Sequence, residues 1–218
     1  MKGLFNPDSK IMTALSALGD FLILNILFLI CCLPVFTIGA AQAGMFTAMR
    51  VQADPEDDSS VIKAYFRGFA NGFGTISLVT CIELVLMGAV GFSTYILLSG
   101  ATEGNPVFLW CSLVGMFICC LFQPLPGAFH SRFRCSVWQL LRNSWLLFLA
   151  QPFRCIPMAV LIWSPVLIFV ISLKVFLMMA PVFFGVYFSL MYWLGFKLLK
   201  KPFQKLEQMH LEQPEKAE

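Results

Sequence analysis

Long apolar blocks separated by short polar or Gly/Pro-containing breaks dominate the chain. The first occupies residues 15–36, with Asp8 and Ser9 placed ahead of it as a helix cap and Pro34 near its end. Residues 38–50 are rich in Ala and Gly and read as a short second helix, followed by an acidic run at 54–58. Ser59 or Ser60 is then placed to cap a helix in which Ile62, Tyr65, Phe66, Phe69 and Phe73 recur at helical spacing. Lys63, Arg67 and Asn71 line another face of it, the pattern of a helix lying in a membrane interface. Further apolar blocks fill 73–98, 106–123, 156–173 and 175–196. Gly104-Asn105-Pro106 predicts a turn between the first two of these. Pro124, Pro126 and Gly127 mark the end of the second, and Lys174 is the single charge between the last two. Residues 136–149 are amphipathic again, with Trp138 and Trp145 suited to the membrane boundary. Residues 197–218 are charged and read as a solvated helix or a partly disordered tail.

A hydrocarbon core of ~30 Å takes about 20 helical residues to cross. The blocks have that length, and no ten-residue alternation of the β-barrel kind is present. Helices are then the remaining way to bond the backbone in lipid. The expectation is an all-α polytopic membrane domain with about five transmembrane helices (15–36, 73–98, 106–123, 156–173, 175–196). Two interfacial amphipathic helices (60–72, 136–149) complete it. Composition agrees: 59% of the 218 residues are hydrophobic and 12% charged, against about 25% charged in soluble domains, and the mean hydropathy is +0.80. Six of the eight cysteines lie inside apolar blocks, none in a metal or Cys-x-x-Cys pattern, so they read as small apolar residues. Ser60-Val61 and Ser136-Val137 each open a basic amphipathic helix leading into a pair of spans, the pattern of two unrelated interfacial helices or of an internal repeat.

With five spans, 12 of the 15 Lys and Arg residues fall on one side and three on the other. The positive-inside rule makes the 12-charge side cytoplasmic, with the C-terminus inside and the N-terminus outside. Ala41-Gln42-Ala43 resembles a signal-peptide cleavage site, but cleavage there would turn the basic segments outward. In a second topology residues 34–39 form the turn of a re-entrant hairpin, the N-terminus stays inside, and 14 of the 15 basic residues are internal.

Gly19-Asp20, Asn25 and the run Leu33-Pro34-Val35-Phe36-Thr37-Ile38-Gly39-Ala40-Ala41 precede a small-residue helix and a basic-aromatic helix around Tyr65-Phe66-Arg67. In this order of features, over about the first third of the chain, the protein resembles the YesL family of bacterial membrane proteins. The resemblance implies a multi-pass protein of the bacterial plasma membrane, often encoded beside carbohydrate ABC importers, without an established activity. ABC importer subunits are therefore expected partners, beside the bilayer itself and anionic lipid at the cytoplasmic face.

Glu83 is the sharpest anomaly. It lies near the middle of its span, where an ionised carboxylate costs about 3 kcal/mol or more. It reads either as a proton or cation site or as a neutral acid hydrogen-bonded within the bundle to Thr80 or Asn25. Asp20 and Lys174 suit a pairing at the outer ends of their spans, or snorkelling to water. Pro34, Thr37 and Gly39 break a helix at membrane depth, as a kink or as backbone opened to a solute. Gly68 and Gly72, and more loosely Ala40 and Gly44, suit close helix contacts. His130 and His210 stand apart from each other, and no catalytic, cofactor-binding or metal motif is present, so no enzyme activity, cofactor or nucleic-acid partner is expected. The leading expectation is a non-catalytic accessory or assembly protein of a transport system. The alternative is a small transporter or channel using Glu83 and the break at 34–39.

Overall fold

A computed structural model describes residues 10–54, 59–99, 106–133 and 135–212. Asp8, Ser9, the acidic residues 55–58 and the Gly104-Asn105 turn lie outside the described residues. The described ones are helical throughout, without a strand. α1 (Lys10–Cys31) leads through a single 3₁₀ turn (Val35–Thr37) into α2 (Ile38–Gln52) and then α3 (Val61–Gly72). α4 (Thr75–Leu98) and α5 (Pro106–Phe122) form a hairpin, and the short α6 (Leu125–His130) extends α5. α7 (Val137–Ala150) opens on a capping box between Ser136 and Gln139, followed by α8 (Pro152–Ile171) and α9 (Leu173–Val182). One turn of π-helix (Phe183–Tyr187) joins α9 to α10 (Phe188–Glu212).

Four stretches among the described residues are long and apolar enough to cross a membrane: Thr75–Leu98, Pro106–His130, Pro152–Ile171 and Leu173–Gln204. The apolar part of α1, Leu15–Cys31, is shorter. Their outward faces are greasy: Phe92, Trp110, Ile171 and Met178 stand exposed, Ile171 by 82%. In water such a surface would drive association, whereas lipid accepts it.

α2 lies at the centre. Residues 39–49 are all buried, and the helix packs against α1, α3, α4, α6 and α10. Small side chains make this approach possible. A Cβ added at Gly68 would lie 2.4 Å from Thr47 Oγ1 and 2.9 Å from the Ala43 carbonyl, and one at Gly44 would lie 2.9 Å from the Tyr65 carbonyl. Gly68, Gly72 and Gly44, expected at close contacts, thus belong to one antiparallel seam, since Gly72 also meets Ala43. Large aromatic residues fill the core beside it: Tyr192 packs on Phe28 and Phe46, with ring centres 5.2 and 5.1 Å apart.

Two apolar segments run on past the expected ends of their spans. α5 stops at Phe122, where Pro124 and Pro126 place its end, but both prolines also sit at the start of α6, where a missing N–H is tolerated, and residues 125–130 are buried against α2 and α7. The charged tail begins later than its lysines suggest: Leu199 and Phe203 are buried on one face of α10, and Phe203 packs against Phe129 and Phe133.

Proline breaks within the spans are answered by side chains. Pro124 cannot bond the Cys120 carbonyl, and Trp163 Nε1 donates to it at 2.8 Å. Pro165 likewise leaves the Leu161 carbonyl open, within hydrogen-bond distance of Tyr187 Oη at 3.0 Å and Ser164 Oγ at 2.7 Å. Ser164 and Tyr187 also contact each other, so one hydroxyl donates to the carbonyl and the other to its neighbour.

Gly68→Ala is expected to lower stability by roughly 1–3 kcal/mol, the range for overpacking a tight seam. Gly88→Ala, where an added Cβ meets nothing within 4 Å, should change little. Thermal unfolding in detergent compares the two, and equal midpoints would show that the α2–α3 seam is loose.

Candidate functional site

The helix break is built by Pro34 and Thr37. Pro34 has φ −76° and ψ 117°, which turns the chain out of α1. Thr37 Oγ1 lies within hydrogen-bond distance of two carbonyls, Cys31 O at the end of α1 and Pro34 O at 2.6 Å. The Thr37 amide also donates to Pro34 O at 2.9 Å. Gly39 then allows α2 to start against α4, where a Cβ would lie 1.9 Å from Thr80 Oγ1. Pro34, Thr37 and Gly39 thus form one device: a turn, the cap of that turn, and the contact that seats it. Its capped carbonyls belong to a self-sealed kink more than to backbone opened for a ligand.

Asn25 serves a second break. The π-helical turn at 183–187 shifts the bonding register, and the Asn25 amide fills the gap. Its Nδ2 donates to Phe183 O at 3.0 Å and Phe184 O at 2.8 Å, while its Oδ1 accepts from Phe188 N at 2.9 Å and Ser189 N at 3.3 Å. Ser189 Oγ completes the clamp by donating to Phe21 O at 2.8 Å. π-turns often mark functional positions, and here the turn joins the first described helix to the last.

Glu83 bonds neither Thr80 nor Asn25, contrary to the expectation. The Asn25 amide is fully engaged on the π-turn, and Thr80 faces Gly39. Both Glu83 carboxyl oxygens are sealed from solvent and have no hydrogen-bond partner. Asp20 is half-buried in α1, and no ion pair joins it to Lys174.

Sequence reasoning passed over a buried polar centre between the break and α10. Gln42 Nε2 of α2 donates to Gln123 Oε1 at 3.0 Å, while Gln42 Oε1 has no partner. Tyr65 and Tyr192 are fully buried, and neither hydroxyl makes a well-formed hydrogen bond. Tyr65 has the Cys31 and Cys32 thiols beside it, and Tyr192 has Cys32 and Gln42. Burial, with the adjacent Cys31 thiol, holds the Tyr65 phenol well above its usual range, so it stays an O–H donor. Gln42 was the available signal, an amide set among Ala and Gly in the first half of α2. Within Ala41-Gln42-Ala43 it looked instead like part of a cleavage motif. All eight cysteines are free, and among the described residues no group of three His, Cys, Asp or Glu side chains is placed to hold a metal ion.

Apolar span-length helices, a lipid-suited surface and internally bonded breaks define a helical membrane protein. Residues 21–94, about a third of the chain, match the family described as "Protein of unknown function, DUF624", so a DUF624 domain is present. That stretch carries Asn25, the break, Gln42, Tyr65 and Glu83, while Gln123 and Tyr192 lie beyond it. Neither a curated protein nor a solved structure matches the chain.

Asn25→Leu should be strongly destabilising, by ~3 kcal/mol or more, because it strands two carbonyls and two amides of the π-turn. Thr37→Val, which keeps the shape and removes one cap, should cost about 1 kcal/mol. Chemical denaturation in mixed micelles reads both, and a milder effect for Asn25→Leu than for Thr37→Val would refute the clamp.

Proposed function

We propose that the chain is a non-catalytic accessory or assembly protein of a membrane transport system, of the YesL type. The observation that supports this reading over a conducting one is the closure of the break: Thr37 caps it from within, and Asn25 occupies the π-turn. Transporters that use broken helices present the freed backbone to an ion or substrate. Here those groups meet the protein's own side chains. The association with carbohydrate ABC importers comes from the family resemblance. The positive-inside rule places the C-terminus in the cytoplasm of a bacterial plasma membrane. In the topology in which α1 and α2 form a re-entrant hairpin, every Lys and Arg except Lys174 faces inward.

Crosslinking in native membranes followed by affinity purification should recover importer subunits with the protein. Recovery of the protein alone, with crosslinkers of several lengths, would defeat the accessory role.

A second reading has its own support. The orphan Glu83 carboxyl, buried in α4 without a hydrogen-bond partner, suits a site for a proton or a small cation. On this reading purified protein in liposomes moves a solute or protons, and Glu83→Gln slows that movement at least tenfold. Proteoliposomes no leakier than empty vesicles would eliminate it.

A further inference from the structure

Away from the buried centre, one cavity of about 210 Å³ is polar. Thr47 and Arg50 of α2, Arg67 and Asn71 of α3, and His130 and Arg132 at the end of α6 surround it. Three guanidinium groups from three segments therefore meet around one space, and no Asp or Glu lines it among the described residues. Like charges repel, so an anion seated between Arg50 and Arg67 would relieve the arrangement. Arg67 forms neither a hydrogen bond nor an ion pair with the described residues. Arg50 has one long hydrogen bond, 3.4 Å to the Ser131 carbonyl.

The surroundings are rigid where it matters. Gly68 brings α3 onto Thr47, which fixes the distance between the helices that carry Arg67 and Arg50. The Arg132 guanidinium is stacked between Phe196 and Phe203, 5.4 and 5.0 Å from their ring centres. His130 Nε2 is 3.3 Å from the Asn71 carbonyl, which ties α6 to α3. Thr47 and His130 are buried, while Arg50 and Arg67 stand exposed above them. At ~30 Å³ per water the space holds a few solvent molecules or one tetrahedral oxyanion. Planar guanidinium forks match such an anion with paired donors.

We propose that this cavity binds a phosphate group, with Arg50 and Arg67 closing over it and Arg132 held in place as the third donor. It lies at the end of the molecule where α3 meets α4 and where α6 stops, among the basic residues that the positive-inside rule assigns to the cytoplasm. Anionic lipid headgroups and soluble phosphates both reach that side, and they present the same chemistry to the site.

The test uses the purified full chain in neutral detergent, titrated with inorganic phosphate and separately with dioctanoyl phosphatidylglycerol. Dioctanoyl phosphatidylcholine serves as the zwitterionic control. Native mass spectrometry and calorimetry read binding to the wild type and to Arg50→Gln, Arg67→Gln and Lys63→Gln. Lys63 is an exposed cation of α3 outside the cavity. Saturable binding of either anionic probe, weakened roughly tenfold or more by each arginine change but not by Lys63→Gln, supports the site. Preference for the lipid assigns it to headgroups, and preference for phosphate assigns it to a soluble ligand. Loss of neither probe's binding in the arginine variants, an equal loss in Lys63→Gln, or no saturable binding at all would overturn the proposal. Because both arginines are exposed, their variants should keep the wild-type elution volume. Should one of them not, the other carries the test.

Discussion

A peptide group inside hydrocarbon must find its hydrogen bond within the protein, since no water is there to supply one. This single requirement organises the fold wherever a helix is interrupted. Thr37 answers at the end of α1, Trp163 at the carbonyl freed by Pro124, Tyr187 and Ser164 at the one freed by Pro165, and Asn25 at the π-turn. Three of these four answers reach across to another helix. Interruptions that weaken a helix locally therefore become the polar fasteners of the bundle, in a medium where apolar side chains gain little by leaving lipid.

What remains of cohesion comes from fit. α2 is lined with Gly and Ala, so that α3 lies on it at backbone distance and larger residues from α4, α6 and α10 fill the periphery. Phe28 of α1 and Tyr192 of α10 pack together beside this slim axis, and Tyr192 meets its Phe46 edge to face. An apolar crevice of about 360 Å³ opens where α1 passes α8 and the π-turn, lined by Leu29, Pro165, Phe169, Phe176 and Phe184 among others. The two rare features, the break and the π-turn, thus both adjoin α1, one at its end and one at Asn25, and both bear on residues of the DUF624 stretch.

The spans were legible because their length and hydropathy report directly on bilayer thickness, and Ser60 and Ser136 marked the starts of both amphipathic helices. Pro34 announced the break, and Asn25 stood out as an amide in an apolar block. Its partners did not, because backbone groups released by a π-turn leave no trace in residue types. α2 was readable as a helix but not as the core. A short run of Ala and Gly has no strong apolar face, and its burial depends on five neighbours that only tertiary packing brings together. α6 and the buried face around Phe203 were hidden by prolines and lysines whose local signals oppose their tertiary setting. The basic cavity was hidden for the same reason: Arg50, Arg67 and Arg132 are far apart in the chain, and each taken singly is an ordinary membrane-surface charge.

The Asn25 clamp also constrains the order of assembly. Asn25 lies 158 to 164 residues ahead of the groups it bonds, so its amide enters the bilayer long before the last helix has left the ribosome. Until that helix arrives, a strongly polar side chain waits in oil without its native partners, and the first helix has no settled seat. Maturation of this protein is accordingly a late, concerted event, in which synthesis of the final span locks the beginning of the chain into place.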